Sequence, residues 1–226
     1  MPGTLYVVAT PIGNLEDVTF RSINILKSVN LILSEDTRKT SILLKKYEIN
    51  TPTMSYHQQS AFSKKQEILN MLLQGKNLAL VTDAGTPGIS DPGNELVDYI
   101  LQNALVQIIP IPGSSSITSA LSICGFNVNN FLFLGFWPKK KTKKLFEKLK
   151  DLDCPAVFFD SPYRIKKNLE AIKENLGDKR IFVGQELTKL HERSLRGSIS
   201  DVLLELEKEQ KSLGRVKGEL VCILES

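Results

Sequence analysis

Short apolar runs alternate along the chain with longer segments whose apolar residues recur every three or four positions. The runs Leu5–Ala9, Leu31–Ser34, Leu78–Thr82, Val106–Ile109, Phe131–Leu134, Ala156–Phe159, Ile181–Glu186 and Leu220–Leu224 predict strands, with a short one near Thr53–Ser55. Helical spacing predicts helices at Val18–Ser28, Thr37–Tyr47, Ser63–Leu73, Glu95–Gln102, Ser116–Ile123, Lys143–Leu149, Arg164–Asn175 and Ser200–Lys208. Asp17 and Ser198 are the expected N-caps of the first and last helices. Strand–helix alternation with strands apolar throughout predicts an α/β fold whose parallel or mixed sheet is covered on both faces. The pattern restarts near residue 128. Two α/β lobes are therefore expected, 1–113 and 114–226, joined within 113–127. The first should hold a mainly parallel sheet. The second should hold a mixed one, with Ile181–Glu186 and Lys217–Leu224 antiparallel. A cleft between lobes is the expected ligand position.

One connection stands apart from ordinary turns. Between a predicted strand and a predicted helix lies Asp83-Ala84-Gly85-Thr86-Pro87-Gly88-Ile89-Ser90-Asp91-Pro92-Gly93. Three glycines and two prolines make this loop stiff and expose its backbone. In open α/β sheets, ligands bind beyond the carboxyl ends of the strands. Other polar, turn-rich loops follow other predicted strands: Thr10–Leu15, Ser34–Arg38, Pro110–Ser116, Asp160–Arg164 and Glu186–Glu192. Each alone reads equally well as a helix cap or a surface charge. Together they predict a site.

Composition narrows the chemistry. With 226 residues, 42% hydrophobic and 24% charged, the chain is an ordinary folded protein. No apolar stretch approaches the roughly 20 residues of a membrane span, and the start shows no signal-peptide pattern. Cys124, Cys154 and Cys222 are widely spaced among apolar residues, so buried free thiols in a reducing cytosol are expected. His57 and His191 are the only histidines, and no metal-ligand spacing occurs; no metal is expected. Glycine motifs for dinucleotide or P-loop binding and the G-x-S-x-G nucleophile elbow are absent. Charge is uneven: residues 1–113 carry 9 Lys+Arg against 10 Asp+Glu, and residues 114–226 carry 20 against 15. Seven of the basic residues fall in Lys139–Lys150. Such a block fits a solvated helix face or an anionic partner, most often nucleic acid.

The motifs A-T-P-I-G-N-L-E-D (9–17), S-E-D-T-R (34–38), D-A-G-T-P-G-I-S-D-P-G (83–93), P-G-S-S-S (112–116), S-P-Y-R (161–164) and E-L-T-K-L-H-E (186–192) occur in this order. The set closely resembles the ribosomal RNA small subunit methyltransferase I family, and the resemblance runs from residue 4 to residue 225. It implies the tetrapyrrole-methylase fold and S-adenosylmethionine held in the cleft between lobes. It further implies 2′-O-methylation of a cytidine ribose in the decoding region of 16S rRNA by a cytoplasmic homodimer. Three departures from the family pattern stand out. Tyr163 replaces the usual histidine of S-P-H-R. Tyr56-His57-Gln58-Gln59-Ser60 replaces a His/Glu/Asn-rich stretch. The sequence ends at Ser226, where many members continue into a small helical segment.

The cofactor positions carried over are Pro11, Asp83, Ala84, Gly85, Thr86, Ile89, Ser115, Ser116, Phe159, Asp160, Leu187 and Thr188. Gly85 would let backbone approach the ligand, and the serines at a helix start would bond a carboxylate. A ribose hydroxyl benefits from a positioned base. Glu35, Arg38, Glu186 and Lys189 are the catalytic candidates, with His57 and His191 behind them. The alternative is that they form ion pairs holding the lobes in register. Lys140, Lys141, Lys143, Lys144 and Arg164 are candidates for RNA phosphates. Tyr56, Trp137 and Tyr163 are candidates for stacking on a splayed base, or else core. Two other functions fit the fold: a tetrapyrrole-type small-molecule methylase, and a non-catalytic RNA-binding relative.

Overall fold

The structure is a computed structural model describing residues 1–57, 60–140 and 142–226. Two compact units divide the chain, Met1–Ser115 and Ser116–Ser226.

The first unit runs β1 (Thr4–Val8), α1 (Phe20–Ser28), β2 (Leu31–Ser34), α2 (Thr37–Lys46), β3 (Thr53–Ser55), α3 (Phe62–Leu73), β4 (Leu78–Val81), α4 (Asn94–Asn103) and β5 (Gln107–Ile111). Its five strands lie in the order β3-β2-β4-β1-β5, and every neighbouring pair is parallel. The apolar runs are continuous because both faces are buried. Leu5, Leu78 and Leu80 pack with Ile68, Leu72, Leu96 and Ile100 of α3 and α4. Val8, Ile32, Ala79 and Val81 pack with Leu26, Leu43 and Leu44 of α1 and α2 on the other face. A parallel sheet places all its strand carboxyl ends on one edge. The loops after β1, β2, β4 and β5 therefore gather there.

The second unit runs α5 (Ser116–Cys124), β6 (Leu132–Phe136), α6 (Lys143–Lys150), β7 (Ala156–Asp160), α7 (Ile165–Leu176), β8 (Arg180–Gln185), β9 (Arg193–Ser198), α8 (Ile199–Leu213) and β10 (Leu220–Leu224). Its sheet, β6-β7-β10-β8-β9, is mixed: β6 and β7 are parallel, and the remaining pairs are antiparallel. Phe158, Val183 and Cys222 bury one face against Phe146, Leu169, Ile172, Val202 and Leu206 of α6, α7 and α8. Helix α5 packs on β10 and β8. Since β10 runs against both β7 and β8, the loops after β7 and β8 share an edge with the start of β10.

Two local expectations need correction. Asp17 does not cap α1: it lies in a 3-10 turn, Leu15–Asp17, and the cap is Thr19, whose side chain accepts from the Ser22 N–H. Pro11, Gly13 and Asn14 keep the chain in turns this far, so the helix starts later than its periodicity suggests. Strand β9 is not foreseen, because Arg193-Ser194-Leu195-Arg196-Gly197-Ser198 carries one buried aliphatic among polar residues. It is an edge strand, where exposed charges deter further pairing. Ser198 does cap α8, in a reciprocal capping box with Asp201.

The pairing of β6 with β7 also slips. Phe133 pairs with Val157 and Phe136 with Phe159, so three residues advance on β6 against two on β7. Gly135, at φ 67°, absorbs the extra residue as a bulge.

Candidate active site

At the edge of the first sheet, backbone bonds tie two of the loops together. Thr10 donates its N–H to the Gly85 carbonyl at 2.9 Å, and Gly85 donates back to the Thr10 carbonyl at 3.0 Å. The Thr10 hydroxyl donates to the Thr82 carbonyl at 3.1 Å. Pro11 and the Asp83–Ile89 loop are thus held side by side. Gly85 sits at φ 82°, where an L side chain is strained.

The carboxylates here are committed to architecture. Glu35 Oε2 accepts from the Thr82 hydroxyl at 2.7 Å and from the Asp83 N–H at 3.4 Å. Asp83 accepts from the Asp36 N–H at 3.1 Å and pairs with Lys39 Nζ at 2.7 Å. Asp36 caps α2 and takes the Arg38 guanidinium on both oxygens, at 3.0 and 2.7 Å. Hydrogen bonds from the Arg38 side chain and backbone hold the Asp36 pKa down at about 2. In place of a Glu35–Arg38 ion pair, the alternative to a catalytic role, Arg38 pairs with Asp36, because the cap aims Asp36 at the first turn of α2 while Glu35 turns back to β4. Arg38 remains 89% exposed along its side chain.

In the second unit, the loop after β8 closes on the start of β10. Lys189 Nζ lies between Glu186 Oε1 and Glu219 Oε2, at 2.9 Å from each. Glu186 Oε1 also accepts from the Glu219 N–H at 2.8 Å. This clasp holds a loop in which two non-glycine residues, Glu186 and Thr188, have φ values of 52° and 66°. Such conformations persist only when surrounding contacts over-determine them. Gly218 makes the seat: a Cβ there would stand 2.2 Å from Glu186 Cγ. Glu219 is not singled out by the sequence reading, and only its position after the K-G pair marks it.

Lys189 is not poised to lose a proton. Burial lowers its pKa, but the hydrogen bonds to Glu186 and Glu219 outweigh that and leave it raised. For Glu186, burial raises the pKa, and the Lys189 and Glu219 hydrogen bonds outweigh it, leaving it lowered. A lowered carboxylate contributes stability that is full above its unfolded pKa and lost as pH falls through the folded one. The expected result is that Glu186→Gln costs about 1 kcal/mol at neutral pH, the upper range for such pairs. That deficit should shrink once acid has protonated the wild-type carboxyl. Urea unfolding of both proteins across acid pH measures it.

At the end of β7, the Asp160 side chain is fully buried. It accepts from the Ser161 N–H and from Asn168 Nδ2, both at 2.7 Å, and lies 3.5 Å from Arg164 Nη2. Burial raises its pKa against these bonds. Arg164 also donates to the Trp137 carbonyl at 3.2 Å and to Ser161 Oγ at 3.3 Å. Its side chain remains 27% exposed. The stacking candidates divide: Trp137 and Tyr56 are 1% and 2% exposed and belong to the two cores, while Tyr163 is 78% exposed.

Lys140, Lys143 and Lys144 are exposed around the start of α6, while Phe146 and Leu149 bury its other side. Lys141, with Gln58 and Gln59, lies outside the described residues. Ser116 is the first residue of α5 and directly follows Ser115. Among the described residues no group of three or more His, Cys, Asp and Glu is placed to hold a metal. No helix among them is long and apolar enough to cross a membrane.

Known proteins resemble the chain in sequence and in fold. The tetrapyrrole (corrin/porphyrin) methylase family matches residues 4–203. A ribosomal RNA small subunit methyltransferase I from Thermotoga maritima is 42% identical over 215 residues, covering 95% of this chain and 96% of that one. The Bacillus subtilis protein of the same name is 44% identical over 226 residues, covering 99% and 75%. Among solved structures, the methyltransferase CobJ superposes with a TM-score of 0.71 at 16% identity, covering 99% and 94%. Cobalt precorrin-4 methyltransferase CbiF gives 0.68 at 15%, covering 97% and 94%. At such identities these structures show the fold alone. Sequence identity above 40% across nearly the whole chain goes further, and the chain belongs to the ribosomal RNA small subunit methyltransferase I family, within the tetrapyrrole methylases.

Proposed function

We propose that the chain is an S-adenosylmethionine-dependent methyltransferase that modifies the ribose 2′-hydroxyl of a cytidine in the decoding region of 16S rRNA. The observation that carries the reading is the match to relatives named for ribosomal RNA methylation across motifs that lie at strand carboxyl ends. The residues fit the cofactor. Gly85 leaves its loop without a Cβ, and adding one would put it 3.5 Å from Ile12. Ser115 and Ser116 stand at a helix start, where hydroxyls and N–H groups suit a carboxylate. Bound S-adenosylmethionine supplies an electrophilic methyl group.

The residues of the chain then orient and stabilise. The Thr10–Gly85 bridge fixes the first loop pair, and the Glu186–Lys189–Glu219 clasp fixes Leu187 and Thr188. Orientation of this kind is worth several kcal/mol, up to about 7–11, in a two-reactant step. Lys189 serves as a fixed cation rather than a base, and Glu35 as a strut for the Asp83 loop. The exposed lysines at the start of α6 hold RNA phosphates.

The test is transfer of label from S-adenosylmethionine to 30S particles lacking the modification. Label is expected at one nucleotide whose 3′ linkage resists alkali, as a 2′-O-methyl group requires. Label entering only a porphyrinoid, or no transfer at all, would sink the reading. Replacing Lys140, Lys143 and Lys144 with Ser should weaken RNA binding and lower its log–log salt slope by about 2, at roughly 0.7 per lost phosphate contact. An unchanged slope would make these lysines a solvated face.

A further inference from the structure

The bulge in β6 has a chemical consequence. Residues three apart on a regular strand face opposite sides. The extra residue at Gly135 cancels that alternation and brings Phe133 and Phe136 to the same face. Both rings meet Phe159: Phe133 edge-on at 5.3 Å between centroids, and Phe136 tilted at 5.4 Å. Core contacts lie on the opposite side, where Leu134, Trp137 and Phe158 point. Phe136 nevertheless remains 59% exposed. An exposed aromatic whose ring is braced by a second ring has a fixed orientation and an open face.

Charge says what fits that face. Phe136 is followed by the buried Trp137, then by Pro138, which stiffens the chain, and then by the exposed Lys139 and Lys140. Four residues span at most about 14 Å, so the lysines stand within a nucleotide or two of the ring. Aromatic rings beside a basic segment match single-stranded nucleic acid: the ring stacks on a base and the cations meet the flanking phosphates. Neither a lone aliphatic surface nor a lone lysine block carries that pairing.

We infer that Phe136, braced by Phe159, is a stacking platform for an unpaired base of the RNA substrate, next to lysines that hold the adjoining phosphates. The inference rests on the proposed RNA-methylating function and assigns the partner's local form, a strand with a base turned out of its helix. It also supplies the stacking residue that buried Trp137 does not.

The experiment uses the full chain, 30S particles lacking the modification, and S-adenosylhomocysteine as cofactor probe. Phe136→Ala should raise the KM for particles about tenfold, within the range found for losing one stacked base. Turnover at saturation, S-adenosylhomocysteine affinity by calorimetry and mass by light scattering should stay at wild-type values. Phe136→Tyr should restore the KM, and Phe136→Leu, apolar but without a ring, should not. Melting temperatures of all variants check that folding is intact, which the exposure of the position favours. Restoration by Leu would overturn the inference, since apolar cover would then suffice. A changed cofactor affinity would assign the ring to the cofactor's surroundings, and a changed mass would assign it to a second copy of the chain; each overturns it. An active wild type with an unaffected Phe136→Ala variant would overturn this inference and leave the RNA function standing. A wild type that neither binds nor methylates RNA would overturn both.

Discussion

Gly85→Val should abolish measurable cofactor binding, while Gly85→Ala should lose much less. Two costs are combined in the valine. The first is conformational: at φ 82° any L side chain is strained by roughly 1–2 kcal/mol, and a β-branched one suffers most. The second is spatial. An added Cβ meets Ile12 at 3.5 Å and the Ser114 carbonyl at 3.8 Å, ordinary contacts that accommodate alanine. The two further methyls of valine have to go beyond that shell, either into Ile12 or into the space offered to a ligand. Calorimetric titration with S-adenosylhomocysteine and a melting curve for each variant separate the costs. Both variants should melt lower, valine by more than alanine, and only valine should lose affinity by more than about 100-fold, or ~2.7 kcal/mol. Equal affinities for valine and wild type would show that the Asp83–Gly93 loop is not where the cofactor lies.

Asp160→Ala should be the most destabilising polar substitution of the second unit, costing about 2–4 kcal/mol. Removing one partner of a buried charged pair typically costs ~3–5 kcal/mol because the other partner stays behind unpaired. Here Arg164 is 27% exposed along its side chain, which softens the loss. Asn168 and the Ser161 N–H each lose an acceptor as well. Asp160→Asn should recover part of the loss and reveal the sign of the carboxyl's own contribution. Burial raises the Asp160 pKa in the folded protein. A raised pKa contributes stability below the unfolded value that is lost as pH rises through the folded one. The wild type should therefore lose stability across that interval relative to Asp160→Asn, whose amide does not titrate. Urea midpoints measured across the interval decide it, and parallel curves would refute the burial argument.

How much of this could be read from residues alone depended on how local the cause was. The strands of the first sheet were legible because burial on both faces writes itself as an unbroken apolar run, as in Leu78-Ala79-Leu80-Val81. Ser198 was legible because a capping box is complete within four residues. Strand β9 was not, since an edge strand shares neither property. The loops after the strands could be found from their turn residues, but the partners of their side chains could not. Glu35 answers to Thr82, and Lys189 to Glu219, across 47 and 30 residues. The alternative to a catalytic role had Glu35 paired with Arg38. The helix cap at Asp36, one residue nearer, took the arginine instead. Trp137 shows the same limit: it was a stacking candidate and is buried, whereas its neighbour Phe136, not among the candidates, is left exposed beside the bulge at Gly135.

The place of β1 in its sheet sets a timetable for folding. Strand β1 is made before either of its neighbours, and it pairs on one side with Leu78–Leu80 and on the other with Gln107–Ile111. Neither neighbour exists when it emerges. At about 5–20 residues per second, roughly 5–20 s separate synthesis of β1 from synthesis of its last partner. During that interval Leu5 and Val8, fully buried in the finished protein, have no sheet to enter. Loop-closure entropy adds to the delay, because both pairings join residues far apart in the chain. The nascent β1 is thus an unpaired apolar strand for most of the first unit's synthesis. A chain stalled before residue 107 would carry an open strand edge, the form most prone to join a neighbour's sheet.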